Sequence, residues 1–372
     1  MTVADEIDKR SAVKKAATTA VSGSNGHSSP AEREAAISRL RMMLLIRRFE
    51  ERTFYEYTSP RTLPDGTREM KIGGFCHLYS GQEAIAVGCA ALFEKSRDYL
   101  INGYRCHGHS LALGMSPHTA MAELFGRTTG CSKGKGGSMH LFEVSAGNLG
   151  GHGIVGAQLP LGLGTAFAQK YKKTGGVTFC YMGDGAINQG TFNEALNLAS
   201  LYKVPCIYVV ENNGVAMGTQ VERSSAEKDL AERACGFAMP HWNIDGNDVD
   251  TVIAEFGKAV DRARSGGGPS YIVANTYRFR GHSMSDPMKY RKMTDGKWRP
   301  EVEEAKKHDP ILLYSNRLMQ AGVISAQQIE AMEAKVNEEV EAAIHQAEAD
   351  PNPALEDRFN DVLAETYPYQ PK

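Results

Sequence analysis

Two short runs carry the most specific chemistry in this 372-residue chain. Gly183-Asp184-Gly185 follows the apolar run VTFCYM (177–182), and Asn212-Asn213 follows PCIYVVE (205–211). The segment between them has room for a turn, a helix over 189–202 and a return strand. A right-handed strand–helix–strand crossover then brings Asp184 and Asn213 to the same carboxyl edge of a parallel sheet, where ligands of open α/β sheets bind. Magnesium takes an octahedron of hard oxygens, a few from protein and the rest from phosphates and water. Asp184 and Asn213 offer two side-chain oxygens, and a nearby main-chain carbonyl can offer a third. The glycines beside Asp184 leave backbone room for a diphosphate, and the following helix aims its N-terminus at that anion. Either run alone reads as a tight turn. Paired at the ends of successive strands, they read as a cofactor site.

Such residues need a scaffold. SYIVANTYR (270–278) is a third apolar, β-branched run. Strands alternating with helical stretches predict an α/β fold, with a mostly parallel sheet and helices on both faces. From Ala31 onward, EREAAISRLRMMLLIRRFEERTFYEY has the spacing of an amphipathic helix. Residues 71–160 are dense in glycine, which suggests close approach of backbone to something bound. The stretch from Asp309 to Glu348 is charged and favours helix. These features divide the chain into a low-complexity tail expected to be disordered (1–30), one α/β domain (31–345) and a C-terminal extension (346–372).

With 42 Lys+Arg against 44 Asp+Glu, the net charge of −2 gives no electrostatic reason to bind nucleic acid or an anionic membrane. No apolar run is long enough to span a bilayer. Asp5, Glu6 and Asp8 argue against a transit peptide, and the seven scattered cysteines form no CxxC pair. A cytoplasmic protein without nucleic-acid or membrane partners is expected.

Six blocks in order, GGFCHLYSGQEA (73–84), NGYRCHGHS (102–110), SKGKGGSMH (132–140), GGHGIVGAQLPLG (150–162), ENNGVAMGT (211–219) and YRFRGHSMSDP (277–287), together with the GDG–NN pair, carry a resemblance. Across about 38–345 the chain resembles the alpha subunits of thiamine-diphosphate-dependent 2-oxo acid dehydrogenases, and among them the pyruvate dehydrogenase branch. The resemblance implies the thiamine-diphosphate-binding fold, with thiamine diphosphate and Mg2+ as cofactors. It implies that Asp184, Asn213 and the main-chain carbonyl of Val215 bind the metal, and that Tyr104 and Arg105 meet the diphosphate. Gly185 and Ala186 would continue the diphosphate turn, and Gly153 and Val155 would line the aminopyrimidine pocket. His77 and His282 would contact the cofactor and serve as catalytic residues. The family often has Tyr where this chain has Val215, a change that a backbone ligand tolerates.

The implied reaction is oxidative decarboxylation of pyruvate, with transfer of the acetyl group to a lipoyl-bearing dihydrolipoyl acetyltransferase. Thiamine catalysis needs a glutamate against the aminopyrimidine, supplied in single-chain relatives by a second α/β domain. Only a short helical tail follows the domain here. The family supplies that glutamate from a beta subunit, in a heterotetramer of two alpha and two beta chains. Branched-chain 2-oxo acid and acetoin dehydrogenase alpha subunits share the scaffold and stay open as alternatives, as does a catalytically silent scaffold subunit.

Other motifs are weaker. Gly151-His152-Gly153-Ile154-Val155-Gly156 fits GxGxxG but follows a poor strand, EVSAGNL, and lacks an acidic residue at the expected distance. Ser132-Lys133-Gly134-Lys135-Gly136-Gly137 looks like a phosphate loop but has Gly where GxxxxGK[ST] needs Ser or Thr. His107 and His109 have no third ligand at metal-site spacing, so a structural or substrate-lining role is expected. Cys106 and Cys131 read as small buried hydrophobes. The polar segment 278–299 reads as an active-site loop rooted at His282. In mitochondrial relatives the serine at the position of Ser283 is a phosphorylation site, so regulation there is a hypothesis.

Overall fold

The computed structural model describes residues 29–62, 64–286, 288, 290 and 300–361. The expected disordered tail lies outside these residues apart from 29 and 30, as does most of the loop between 287 and 299. Six strands form one sheet: β1 (Tyr99–Gly103), β2 (Asn148–His152), β3 (Thr178–Gly183), β4 (Cys206–Asn212), β5 (His241–Asp245) and β6 (Ser270–Asn275). Their order is β2-β1-β3-β4-β6-β5, and every neighbouring pair is parallel.

Besides two helices at Val221–Ser224 and Pro300–Lys307, the described residues form α1 (Pro30–Thr58), α2 (Glu83–Ala90), α3 (His107–Ala112), α4 (Pro117–Leu124), α5 (Gln158–Lys172), α6 (Gly190–Tyr202), α7 (Val249–Arg264), α8 (Pro310–Gln320) and α9 (Ala326–Ala349). Alternate residues of the central strands enter opposite cores, as a strand's period of two requires. Phe179, Tyr181, Ile207, Val209 and Ile272 meet Ile85 of α2 and Val252 and Phe256 of α7. Cys180, Met182, Tyr208, Val210 and Tyr271 meet Leu159 of α5 and Phe192 and Leu196 of α6. Strands buried on both faces read as continuous apolar runs, which is why β3, β4 and β6 are visible in the sequence.

A third core lies outside this sandwich. Ser29 and Glu32 form a capping box that starts α1. Its face of Leu40, Met43, Leu44, Ile46 and Phe49 packs with Ile311, Tyr314 and Leu318 of α8 and Val336, Val340 and Ile344 of α9. Arg47 ties the layers together, bonding Glu83 at 2.6 Å and Asp309 at 2.8 Å.

Three features differ from the sequence reading. First, EVSAGNL does hold a strand, but Val144–Ala146 is a 3-10 turn and β2 begins only at Asn148. Second, much of the glycine between 71 and 160 accommodates the chain's own packing. A Cβ on Gly108 would sit 2.2 Å from the Tyr79 ring, and one on Gly134 would sit 2.4 Å from the backbone of Gly126. Third, α9 runs through the boundary expected at 345–346. The chain then returns to the turn after α4, where Thr128 N donates to Pro351 O at 3.1 Å.

Candidate active site

The chain runs from β1 outward to β2 on one side, then crosses to β3 and on to β4 on the other. The carboxyl ends of β1 and β3 therefore diverge, and a crevice opens between them. A cavity of about 790 Å³ occupies this place. The end of β1 contributes Gly103, Tyr104 and Arg105, and the end of β2 contributes Gly153 and Val155. Gly183, Asp184, Gly185 and Ala186 follow β3, Asn213 and Val215 follow β4, and Arg278 and His282 follow β6. His77 enters from the segment before α2. All eleven residues singled out from sequence line this one cavity.

Asp184 is buried, and its Oδ2 has no hydrogen-bond partner. Burial raises its pKa to about 6, although the charges of Arg278 and Arg105 pull the other way. A carboxylate in that position lacks compensation, which a cation would supply. Asn213 Oδ1 and Val215 O each lie 3.4 Å from an Arg278 guanidinium nitrogen. The two oxygens thus face one positive group from the same side. On Gly183 a Cβ would meet nothing within 4 Å, so the backbone there borders open space.

Arg105 donates to Leu78 O at 2.6 Å and to His282 O at 2.7 Å. Burial, with Arg278 nearby, lowers its pKa to about 10, still charged at neutral pH. Two guanidinium groups beside an open crevice favour a multiply charged anion. The His77 ring packs 4.4 Å from Tyr104 and 5.1 Å from His282, and its Nδ1 has no partner. Burial and the charge of Arg105 lower the pKa of His77 to about 2 and that of His282 to about 4. Both imidazoles are neutral and can donate or accept hydrogen bonds at a reacting group. The root of the following loop is organised by Asp286, which accepts from His282 N at 2.7 Å and Tyr290 OH at 2.6 Å. Ser283 and Ser285 are also at the cavity wall, with hydroxyls 3.0 Å apart.

Sequence reasoning did not single out Gln82, Asn102, Met139, Gln158 or Glu211 as lining residues, and marked Arg278 and Tyr290 only as part of the 278–299 loop. Glu211 directly precedes the Asn pair and Arg278 lies within a quoted block, so position alone could have flagged both. Glu211 is buried, accepts a short hydrogen bond from Tyr79 OH, and has its pKa raised to about 8 by burial.

The weaker motifs resolve differently. The Ser132–Gly137 loop wraps the carboxylate of Glu123, the buried penultimate residue of α4. Ser132 N and Gly134 N donate to its Oε2, and Gly136 N and Gly137 N to its Oε1, at 2.7 to 3.0 Å. This loop is an anion nest whose anion belongs to the chain. His107 and His109 are buried and hydrogen bonded in the interior, outside the cavity lining. Among the described residues no three His, Cys, Asp or Glu side chains gather into a metal site, so a cation here would need oxygens from main chain and ligand as well. Burial raises the Cys106 thiol to about 12 and the Cys131 thiol to about 11.

The family model described as dehydrogenase E1 component matches residues 41–356. The chain is 46% identical over 338 residues to the pyruvate dehydrogenase E1 component subunit alpha of Zymomonas mobilis, covering 91% of each chain. It is 46% identical over 332 residues to the protein of that name from Rhizobium meliloti, covering 89% of this chain and 90% of the relative. It is also 41% identical over 340 residues to the testis-specific mitochondrial form from Rattus norvegicus, covering 91% of this chain and 82% of the relative.

Proposed function

The chain belongs to the dehydrogenase E1 component family, and from that premise we propose that it is the thiamine-diphosphate-binding half of an enzyme that oxidatively decarboxylates pyruvate. The acetyl group would pass to a lipoyl group on an acyltransferase within a multienzyme complex. The observation that carries this reading is the convergence of five strand ends on one crevice holding Asp184, Asn213, Arg105 and two neutral histidines.

The residues fit the implied group. The unpartnered Asp184 Oδ2, with Asn213 and the Val215 carbonyl, gives the hard oxygen set that magnesium takes beside a diphosphate. Arg105 and Tyr104 would hold the diphosphate oxygens, and Gly183, Gly185 and Ala186 would let backbone approach them. Gly153 and Val155 would border the aminopyrimidine. Thiamine diphosphate, when bound, supplies an electron sink for the loss of carbon dioxide from a 2-oxo acid. Neutral His77 and His282 would donate hydrogen bonds to the developing charge on the substrate oxygen and orient it. Phe75, Val155 and Met217 would exclude water once covered.

Those three apolar side chains line the cavity yet are 62%, 41% and 65% exposed. Leu161, Phe167 and Tyr171 of α5 and Leu201 and Tyr202 of α6 are exposed as well. Apolar side chains exposed at the cavity mouth and, separately, along α5 and α6 support a partner chain, read here as a beta subunit in a heterotetramer of two alpha and two beta chains. A cytoplasmic location belongs to the same reading and is supported by seven cysteines that are all free. Regulation at Ser283, which lines the cavity, belongs to the same proposal.

The test is purification from the native host with whatever binds the chain. Decarboxylation is then assayed with thiamine diphosphate, magnesium and an artificial electron acceptor. Turnover of pyruvate that requires the co-purifying chain is expected. Turnover by this chain alone would overturn the divided site. Turnover only of 3-methyl-2-oxobutanoate or acetoin would move the substrate to the branched-chain or acetoin class.

A further inference from the structure

Residues 76–79 form neither helix nor strand, yet His77 in this segment is the side chain brought nearest the two other aromatic groups of the site. An irregular segment cannot hold a side chain precisely by itself, because no backbone ladder fixes it. Here the backbone is held from four directions. Cys76 O accepts from Met284 N at 2.9 Å, and Leu78 O accepts from Arg105 at 2.6 Å. His77 N donates to Ser138 Oγ at 3.1 Å, and Tyr79 N donates to Glu50 Oε1 at 2.8 Å.

The last two anchors are joined to each other. His107 lies between them with Nδ1 3.1 Å from both Glu50 carboxylate oxygens and Nε2 2.8 Å from Ser138 Oγ. Glu50, His107 and Ser138 are all buried. The backbone N–H of His77 can only donate, so Ser138 Oγ accepts from it, and His107 bridges that serine to the Glu50 carboxylate, with Nε2 also 3.2 Å from Ser138 O. The contacts thus run without a break from the His77 backbone through Ser138 and His107 to Glu50. Each end is supported in turn. Glu50 projects from the long helix α1, and Ser138 sits in the 3-10 turn that directly follows the loop wrapped on Glu123.

We propose that Glu50, His107 and Ser138 form a buried hydrogen-bond relay that acts as a set of positioning residues, holding the backbone of His77 so that its ring faces the reacting groups. The inference rests on the reading of this cavity as the reaction site. The arrangement has the composition of a hydrolytic triad, but Ser138 lies outside the cavity lining and its hydroxyl is taken up by His107 and His77. Its work is to orient.

The experiment uses the complex with its partner chain. Ser138→Ala is expected to lower kcat about tenfold, the scale of a displacement well under an ångström, while KM for pyruvate and affinity for thiamine diphosphate stay within about twofold. Ser138→Thr, which keeps the hydroxyl, is expected to recover most of the loss. In a His77→Ala background Ser138→Ala should have no further effect, because the serine acts through the histidine. The same tenfold loss in both backgrounds would mean a merely structural role and would overturn the proposal.

A second readout needs neither cofactor nor turnover. In the chain labelled with isotopic histidine, the His77 imidazole resonance, assigned by its absence from His77→Ala, should shift in Ser138→Ala and in His107→Gln. His107→Gln also serves if the serine variant does not fold. An unchanged His77 resonance overturns the relay whatever the activity. If the wild-type complex turns over no 2-oxo acid, the functional reading fails, and the resonance alone decides the relay.

Discussion

Around Ser132–Gly137 and around Gly183–Gly185 the chain turns on glycines beside a buried carboxylate. In the first region both oxygens of Glu123 are saturated by four backbone N–H donors from its own loop. In the second, Asp184 Oδ2 has no partner and its backbone borders a cavity. The two carboxylates are similarly inaccessible, so burial does not distinguish them. What differs is whether the chain itself completes the bonding. A satisfied carboxylate fixes a loop, and an unsatisfied one at a crevice is built for something brought from outside.

The sharpest way to break this contrast is Asp184→Ala. Magnesium-dependent binding of thiamine diphosphate should weaken by at least about a hundredfold, since a charged first ligand to the metal is lost. Thermal unfolding of the ligand-free chain should hardly change. Normal binding by calorimetric titration would show that Asp184 is not the ligand. Glu123→Ala should do the reverse. It leaves four half-buried N–H donors without their carboxylate and should cost roughly 2 kcal/mol or more of stability, read by denaturant unfolding.

A finer comparison uses the glycines. Gly183→Ala places its methyl in open space and should leave the melting temperature unchanged, yet lower cofactor affinity about tenfold by occupying room needed for the diphosphate. Gly134→Ala, at φ +75° and against the backbone of Gly126, should lose stability instead. The smallest effect concerns charge. His77 and His109 are lowered to about 2 and about 3, in each case chiefly by burial. Both have folded pKa values below the ordinary value, so they stay neutral as pH falls through 6.5. Their ring resonances in the ligand-free chain should not titrate between pH 7 and pH 5. A midpoint near 6 for either would mean that its surroundings are wetter than described.

The parts of the fold legible in the sequence are those where one physical pattern dominates. VTFCYM, PCIYVVE and the start of SYIVANTYR are strands buried on both faces, and α1 and α6 keep a helical period. β1 (YLING), β2 (NLGGH) and β5 (HWNID) were not legible, because polar or glycine-rich strands are specified by their neighbours in the sheet. The site was legible at Asp184 and Asn213 because a crossover of known hand relates them. Gln158 and Asn102 lie within the quoted blocks, but no chemistry or spacing there marked them as cavity residues. Nor could spacing show that SKGKGG encloses a glutamate from the preceding helix, since that depends on where α4 ends.

The third core also has a consequence for how the molecule is made. The apolar face of α1 is covered by α8 and α9, with Arg39 bonded to Tyr314 and Arg52 paired with Glu341. On a ribosome moving at about 5–20 residues per second, the covering helices are made on the order of ten to fifty seconds after α1 emerges. Throughout that interval the part of this face that α8 and α9 cover stays open, although α2 and α3, made sooner, also pack against the helix. The first helix among the described residues is thus among the last to be fully covered, its apolar face being completed only when the final helices arrive.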